Sequence, residues 1–191
     1  DCFRHVPMAE AVHLMASIGS FEQLIKTDYC GARVGKYAAS TVLRHLRVGR
    51  LDLSDRTVRD ALLPFLHRAM CYARTAEAIV ETLRPQLVLS VDTGYSPRGE
   101  LFDLCLAAGI DTITWNAAHR NNQLMLKRYS RGKREGHPAS LSASTWSELQ
   151  AKPWTEADRN LLRRELVGSY TSGEWYSEVG TQFHTKLEDP A

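Results

Sequence analysis

The sequence predicts a helix-rich α/β domain with a short parallel sheet. Three observations carry this. Two strand-like runs, Gln86–Val91 (QLVLSV) and Ile110–Trp115 (IDTITW), flank a loop, a helical pattern and Gly109. That order is the mark of a right-handed βαβ unit, here residues 86–115. Upstream, Val58, Leu62, Leu66, Ala69, Ala73, Ala76, Val80 and Leu83 recur at steps of three and four, one apolar stripe along a helix. Finally, 191 residues with 43% hydrophobic and 24% charged side chains suffice for a core without a disulfide or metal staple.

The elements follow in order. Residues 8–18 read as a short helix broken at Gly19, and Ser20 is an N-cap for a second over 20–27. Residues 32–46 carry apolar groups at helical spacing, with Gly49 as the stop. Asp55 caps the long helix toward Leu83, and Pro64 is expected to kink or split it because it lacks an N–H. Arg59, Arg68 and Arg74 fall off the apolar stripe and are expected in solvent. Gln86–Val91 reads as a buried parallel strand, residues 92–99 as a loop, residues 100–108 as a helix with Gly109 at its C′ position, and residues 110–115 as the second strand. Residues 116–140 are polar, basic and irregular. Beyond them lies a helical part, about 142–191, with Ser144 as a cap and a capping box at Thr155–Asp158 that starts a helix over 156–167. The whole chain, 1–191, is expected to form a single α/β domain.

Several classes are excluded. No apolar run approaches the roughly 18 residues of a membrane span, and no charged and apolar leader opens the chain. A net charge of +2, from 24 basic and 22 acidic groups, is too mild for a general nucleic-acid binder, so no nucleic-acid partner is expected. Cys2, Cys30, Cys71 and Cys105 form no CxxC pair. They read as free thiols of a reducing cytoplasm. His13, His45, His67 and His184 make no HExxH or other metal spacing and are read as structural, so no metal site is expected.

Ligands of open parallel sheets sit beyond the carboxyl ends of the strands. Two loops leave such ends, Asp92–Gly99 and Asn116–Asn122, and their polar groups are expected to share a crevice. In the first loop, Gly94 and Gly99 permit close backbone approach, Tyr95 and Arg98 are contact candidates, and the following helix start suits an anion. Asp92 has two readings: a general base on a sugar hydroxyl, or an Asx brace for the loop. In the second loop, Asn116 can bond a hydroxylated ligand. His119 is either a proton carrier or an exposed loop histidine. Arg120, Lys127, Arg128, Arg131, Lys133 and Arg134 surround one acid, Glu135, a composition that attracts phosphate or an acidic polymer when not merely solvated. The tail aromatics Tyr170, Trp175, Tyr176 and Phe183 read as sugar-stacking or packing groups.

The segments LRHLRVGRLDL (43–53), RPQLVLSVDTGYSPRGELFDLCLAAGI (84–110) and TITWNAAHRNN (112–122) resemble proteins of bacterial capsule and surface-polysaccharide synthesis. In these a strand ends in a Gly-Tyr loop, a helix follows, and a Gly-Ile step leads to a strand ending in Trp. The resemblance covers about half of the chain and includes no invariant catalytic signature. It implies a glycosyltransferase of the GT-B architecture, with two Rossmann-like halves, of which this chain is the N-terminal, acceptor-side half. A start at Asp1 and the shortage of strands agree with a piece of a longer protein. The implied reaction moves a sugar from a nucleotide-sugar donor to a surface polysaccharide or glycolipid, in the cytoplasm or at the inner face of the membrane. Asp92 and His119 are then the candidate bases. Gly94, Tyr95, Arg98, Gly99, Asn116, Arg120, Lys127 and Arg128 are the substrate-binding candidates. The partners are a glycan acceptor and a second Rossmann-like domain, with no cofactor. The alternative is a non-catalytic module that binds phosphate or anionic glycan.

Overall fold

A computed structural model describes residues 3–118 and 123–171. The chain divides into two compact units, one of residues 1–115 and 126–135 and the other of residues 116–125 and 136–191. Among the described residues the fold is mixed α/β, as the sequence predicts. In chain order the helices are α1 (Met8–Ala16), α2 (Phe21–Lys26), α3 (Val34–Leu46), α4 (Arg56–Leu83), α5 (Arg98–Ala107), α6 (Ala143–Ala151) and α7 (Glu156–Thr171). The strands are β1 (Leu87–Ser90), β2 (Asp111–Ala117) and β3 (Leu124–Tyr129).

Local chemistry sets most of the helix ends. Ser20 accepts from Gln23 N–H, and Gln23 answers from its side chain, a full capping box. Asp55 accepts from Thr57 N–H at 2.7 Å. After α5, Gly109 (φ +74) is left-handed, with Gly109 N–H on Leu106 O and Ile110 N–H on Cys105 O, a Schellman motif. The Thr155–Asp158 box forms as expected. Two ends differ from expectation. Ser142, rather than Ser144, caps α6, and α3 ends on a left-handed Arg47 instead of at Gly49.

The stripe of α4 is buried at Leu62, Leu66, Ala69, Ala73 and Ala76. It packs with α1, α2 and α3 around Ala11, Met15, Leu24, Val34 and Val42, all within the first unit. Pro64 does not split this helix. Pro64 and Asp60 are both exposed, so the carbonyl that loses its partner faces water. Arg59 is not left in solvent either. It donates to Ile18 O at 2.9 Å and Met15 O at 2.8 Å, tying α4 to the turn that follows α1. Arg68 and Arg74 lie over the rings of Phe65 and Tyr29. Gly35 lets α3 cross α2, since a Cβ there would lie 1.9 Å from Leu24 O.

The sheet has the order β1-β2-β3. β1 and β2 are parallel, Leu87 opposite Asp111 and Ser90 opposite Thr114, with α5 as the crossover. β3 lies in the segment read as irregular. The connection over residues 118–123 is too short for a parallel crossover.

β1 is not the buried strand expected, since Leu87 is 53% and Leu89 61% exposed. Only one face of the sheet is covered. On it Thr112, Thr114 and Tyr129 are buried, and Phe102 of α5 meets Tyr129 edge-on at 5.0 Å. The other face carries Leu87, Leu89 and the Asp111–Arg128 ion pair, 3.0 Å. Among the described residues, no helix is long and apolar enough to cross a membrane. Cys71 and Cys105 are buried free thiols and Cys30 is a half-buried one, while Cys2 lies outside the described residues.

Candidate anion-binding site

The first unit presents polar chemistry in two adjoining places, the exit of β1 and the facing sides of α3 and α5. At the β1 exit, Asp92 Oδ1 accepts from Gly94 N–H at 2.9 Å and Ser90 Oγ donates to Asp92 O at 3.0 Å. This is the Asx brace, the second of the two roles open to Asp92. Tyr95 lies beneath the Arg44 guanidinium, 5.6 Å from ring centroid to Cζ. Arg98 is exposed in the first turn of α5. Gly99 is buried, and a Cβ there would come within 2.3 Å of the Tyr37 ring, so its smallness serves packing of α5 on Tyr37.

Glu100, beside it, has no exposed surface. Its Oε1 accepts from Ser96 Oγ, and its Oε2 has no hydrogen-bond partner. Burial pushes its pKa up to about 7, against the lowering effect of Ser96. A carboxyl in that range can hold or accept a proton at neutral pH.

The second place centres on Arg33. Its guanidinium grips Asp103 of α5 with Nε at 2.9 Å from Oδ2 and Nη2 at 2.7 Å from Oδ1. Its backbone N–H adds a third bond to Oδ2 at 3.1 Å. The Arg33 side chain is 11% exposed and that of Asp103 fully buried. Nη2 also donates to Tyr37 Oη at 3.0 Å.

The outward edge of Arg33 turns to Glu135. Glu135 receives Arg33 Nη1 on Oε1, Lys36 Nζ on Oε2 at 2.8 Å, and Arg134 Nε at 3.5 Å. The Lys36 hydrogen bond holds the Glu135 carboxyl below its usual range, despite partial burial. Arg33, Lys36 and Arg134 thus converge on one carboxylate that is itself 64% exposed. They border a cavity of about 560 Å³, lined also by Lys26, Asp28 and Ser40.

The other expected site residues are dispersed. Lys127 lies over the Tyr129 ring, while Arg128, one residue on, pairs with Asp111 on the opposite face of the sheet. Alternation along a strand requires that separation. Arg131 donates to the carbonyls of Leu106 and Ala107 at the end of α5. Of the basic run, Arg134 alone joins the cluster on α3 among the described residues. Asn116 ends up with a buried Nδ2 that has no partner among the described residues. His119 and Arg120 lie outside the described residues, as do the side chain of Tyr170 and all of Trp175, Tyr176 and Phe183. The register does place Val91 and Trp115 at the same end of neighbouring parallel strands, the geometry on which a shared exit depends.

The chain matches no family model, no curated protein and no solved structure. Sequence reasoning missed Arg33, Lys36, Tyr37, Glu100 and Asp103. One signal was available: ELFDLCLAA places Glu100 and Asp103 one turn apart in an otherwise apolar helix. Carboxylates buried in this way need partners or a shifted pKa.

Proposed function

We propose that this chain binds an anionic sugar ligand, a phosphate- or carboxylate-bearing glycan, in the cavity bordered by Lys26, Arg33, Lys36 and Arg134. The observation that carries the proposal is the convergence of three cations on the exposed Glu135 carboxylate. Glu135 stands where a ligand carboxylate or phosphate would stand, and Asp103 holds the Arg33 guanidinium so that Nη1 faces that position. An incoming phosphate brings more charge and more acceptor oxygens than one carboxylate, so it can displace Glu135. On this reading the site works in the cytoplasm.

Isothermal titration of the full chain with glucose 1-phosphate and with an oligogalacturonate tests this at low salt. Binding is expected to weaken about tenfold in Lys36→Ala or Arg134→Ala, the loss of one charge-assisted contact. It is expected to strengthen in Glu135→Gln. No binding of either probe, or binding indifferent to all three variants, refutes the proposal.

A second reading, transfer of a sugar from a nucleotide-sugar onto that anionic acceptor, is favoured by the parallel pairing that brings the exits of β1 and β2 to one end of the sheet. On this reading the base is Asp92 or His119. Release of nucleoside diphosphate from a panel of nucleotide-sugars, lost in Asp92→Asn or His119→Ala, is the expected result.

A further inference from the structure

Outside that cavity, the amino-terminal strap and one face of α4 bring together His5, His67 and Cys71. Residues 3–7 run along α4 without forming helix or strand. Three contacts hold the strap down. Arg4 N–H donates to Thr75 Oγ1 at 3.0 Å, Val6 N–H to Cys71 Sγ at 3.4 Å, and His67 Nε2 to Val6 O at 2.7 Å. Positions 67, 71 and 75 are successive turns of one helix face, so the strap passes over His67 and Cys71. The His5 ring meets the His67 ring edge-on at 5.5 Å, and Cys71 Sγ lies 3.7 Å from His67 Nε2. One ligand atom from each of the three residues falls within 4.8 Å of the others.

We infer that His5, His67 and Cys71 form a binding site for a zinc-class divalent cation. Two imidazoles and a thiolate are a borderline-soft donor set, which suits zinc and disfavours magnesium or calcium. With metal bonds of about 2.0–2.3 Å, tetrahedral ligand atoms sit about 3.5 Å apart, so the cluster needs to contract by roughly 1 Å on the widest side. The exposed side chain of His5 can supply that movement. On loading, the Cys71 thiol releases its proton to solvent. His67 frees Nε2 by carrying its proton on Nδ1, and the Val6 contacts yield to metal bonds. His5 also lines a polar cavity of about 380 Å³ with Arg4, Arg74, Glu77 and Glu81. The metal would tie the strap to α4 and so stabilise the first unit.

Cobalt(II) titration of the reduced full chain reads the site directly. One equivalent is expected to produce thiolate-to-metal charge-transfer absorption and tetrahedral visible bands, both bleached by zinc. Zinc should raise the melting temperature by several degrees. Because Cys71 is buried, His5→Ala is the variant least able to disturb folding. It is expected to lower cobalt affinity at least tenfold while leaving the metal-free melting temperature within about 2 °C. Cys71→Ser should lose thiolate absorption. Absence of a thiolate band in the parent chain, or cobalt affinity in His5→Ala equal to the parent's, overturns the inference.

Discussion

Asp103 and Glu100 are two buried acids one turn apart, and they meet burial in different ways. Asp103 accepts three bonds from Arg33. Asp103→Ala would leave the largely buried Arg33 guanidinium without its main partner, and is expected to cost about 3–5 kcal/mol in urea denaturation. Glu100 has Ser96 on one oxygen and nothing on the other, so it holds a proton instead. Its folded pKa of about 7 stands above the ordinary 4.5. Below 4.5 both states carry the proton and the stabilisation is complete. As pH rises toward 7 the unfolded chain ionises first, so stability falls. Above 7 the folded carboxyl has ionised too and the loss is complete. A shift of this size corresponds to about 3 kcal/mol. Glu100→Gln is therefore expected to match the parent near pH 4.5 and to melt several degrees higher at pH 8, followed by circular dichroism. A parent whose stability does not fall between those pH values refutes this assignment.

At the scale of elements, α3 and α5 are joined through Gly99 against Tyr37. Gly99→Ala would place a methyl group 2.3–2.6 Å from three atoms of a buried ring. Overpacking of this kind costs about 1–3 kcal/mol. The expected result is a lower urea midpoint, with weaker anion binding because Tyr37 accepts from the Arg33 fork. Unchanged stability would mean the ring has room to yield. This contact was hidden from the sequence, where Gly99 reads as a ligand-loop glycine. The caps at Ser20, Asp55, Gly109 and Thr155 were legible because each is settled within three or four residues. So was the parallel pairing of β1 with β2, because a helix between two strand-like runs leaves few alternatives. β3 was not legible. LMLKRY mixes three apolar residues with two cations, and only pairing with β2 makes it a strand. The exposure of β1 escaped notice because an apolar run looks the same whether one face or both are covered. For the site, loop positions could be read, but the Arg33–Asp103 bond spans 70 residues and no local spacing announces it.

On the scale of the whole molecule, the two units differ in how they are held together. The first has a continuous core from Val6 through Ala73, the buried Arg33–Asp103 pair and the α5–sheet contacts. The second is different in kind. Neither α6 nor the described side chains of α7 include a buried residue. Trp146, Leu149, Trp154, Leu161 and Leu162 instead line an open apolar cavity of about 440 Å³. Helices of 9 and 16 residues are marginal in water without a buried face. The first unit should therefore carry the cooperative transition. A fragment of residues 1–135, which retains all three strands and every residue lining the anion cavity, is expected to unfold in one transition. Its melting temperature should lie within about 5 °C of the full chain's, because a contribution near 1 kcal/mol moves a chain of this size by only a few degrees. A peptide of residues 141–171 should show mainly coil by circular dichroism. If the fragment loses its cooperative transition, the core of the first unit is not self-sufficient. Because the anion cavity is lined by α2, α3 and residues 134–135, the fragment should then also lose phosphate binding, which ties the site to the stability of that core.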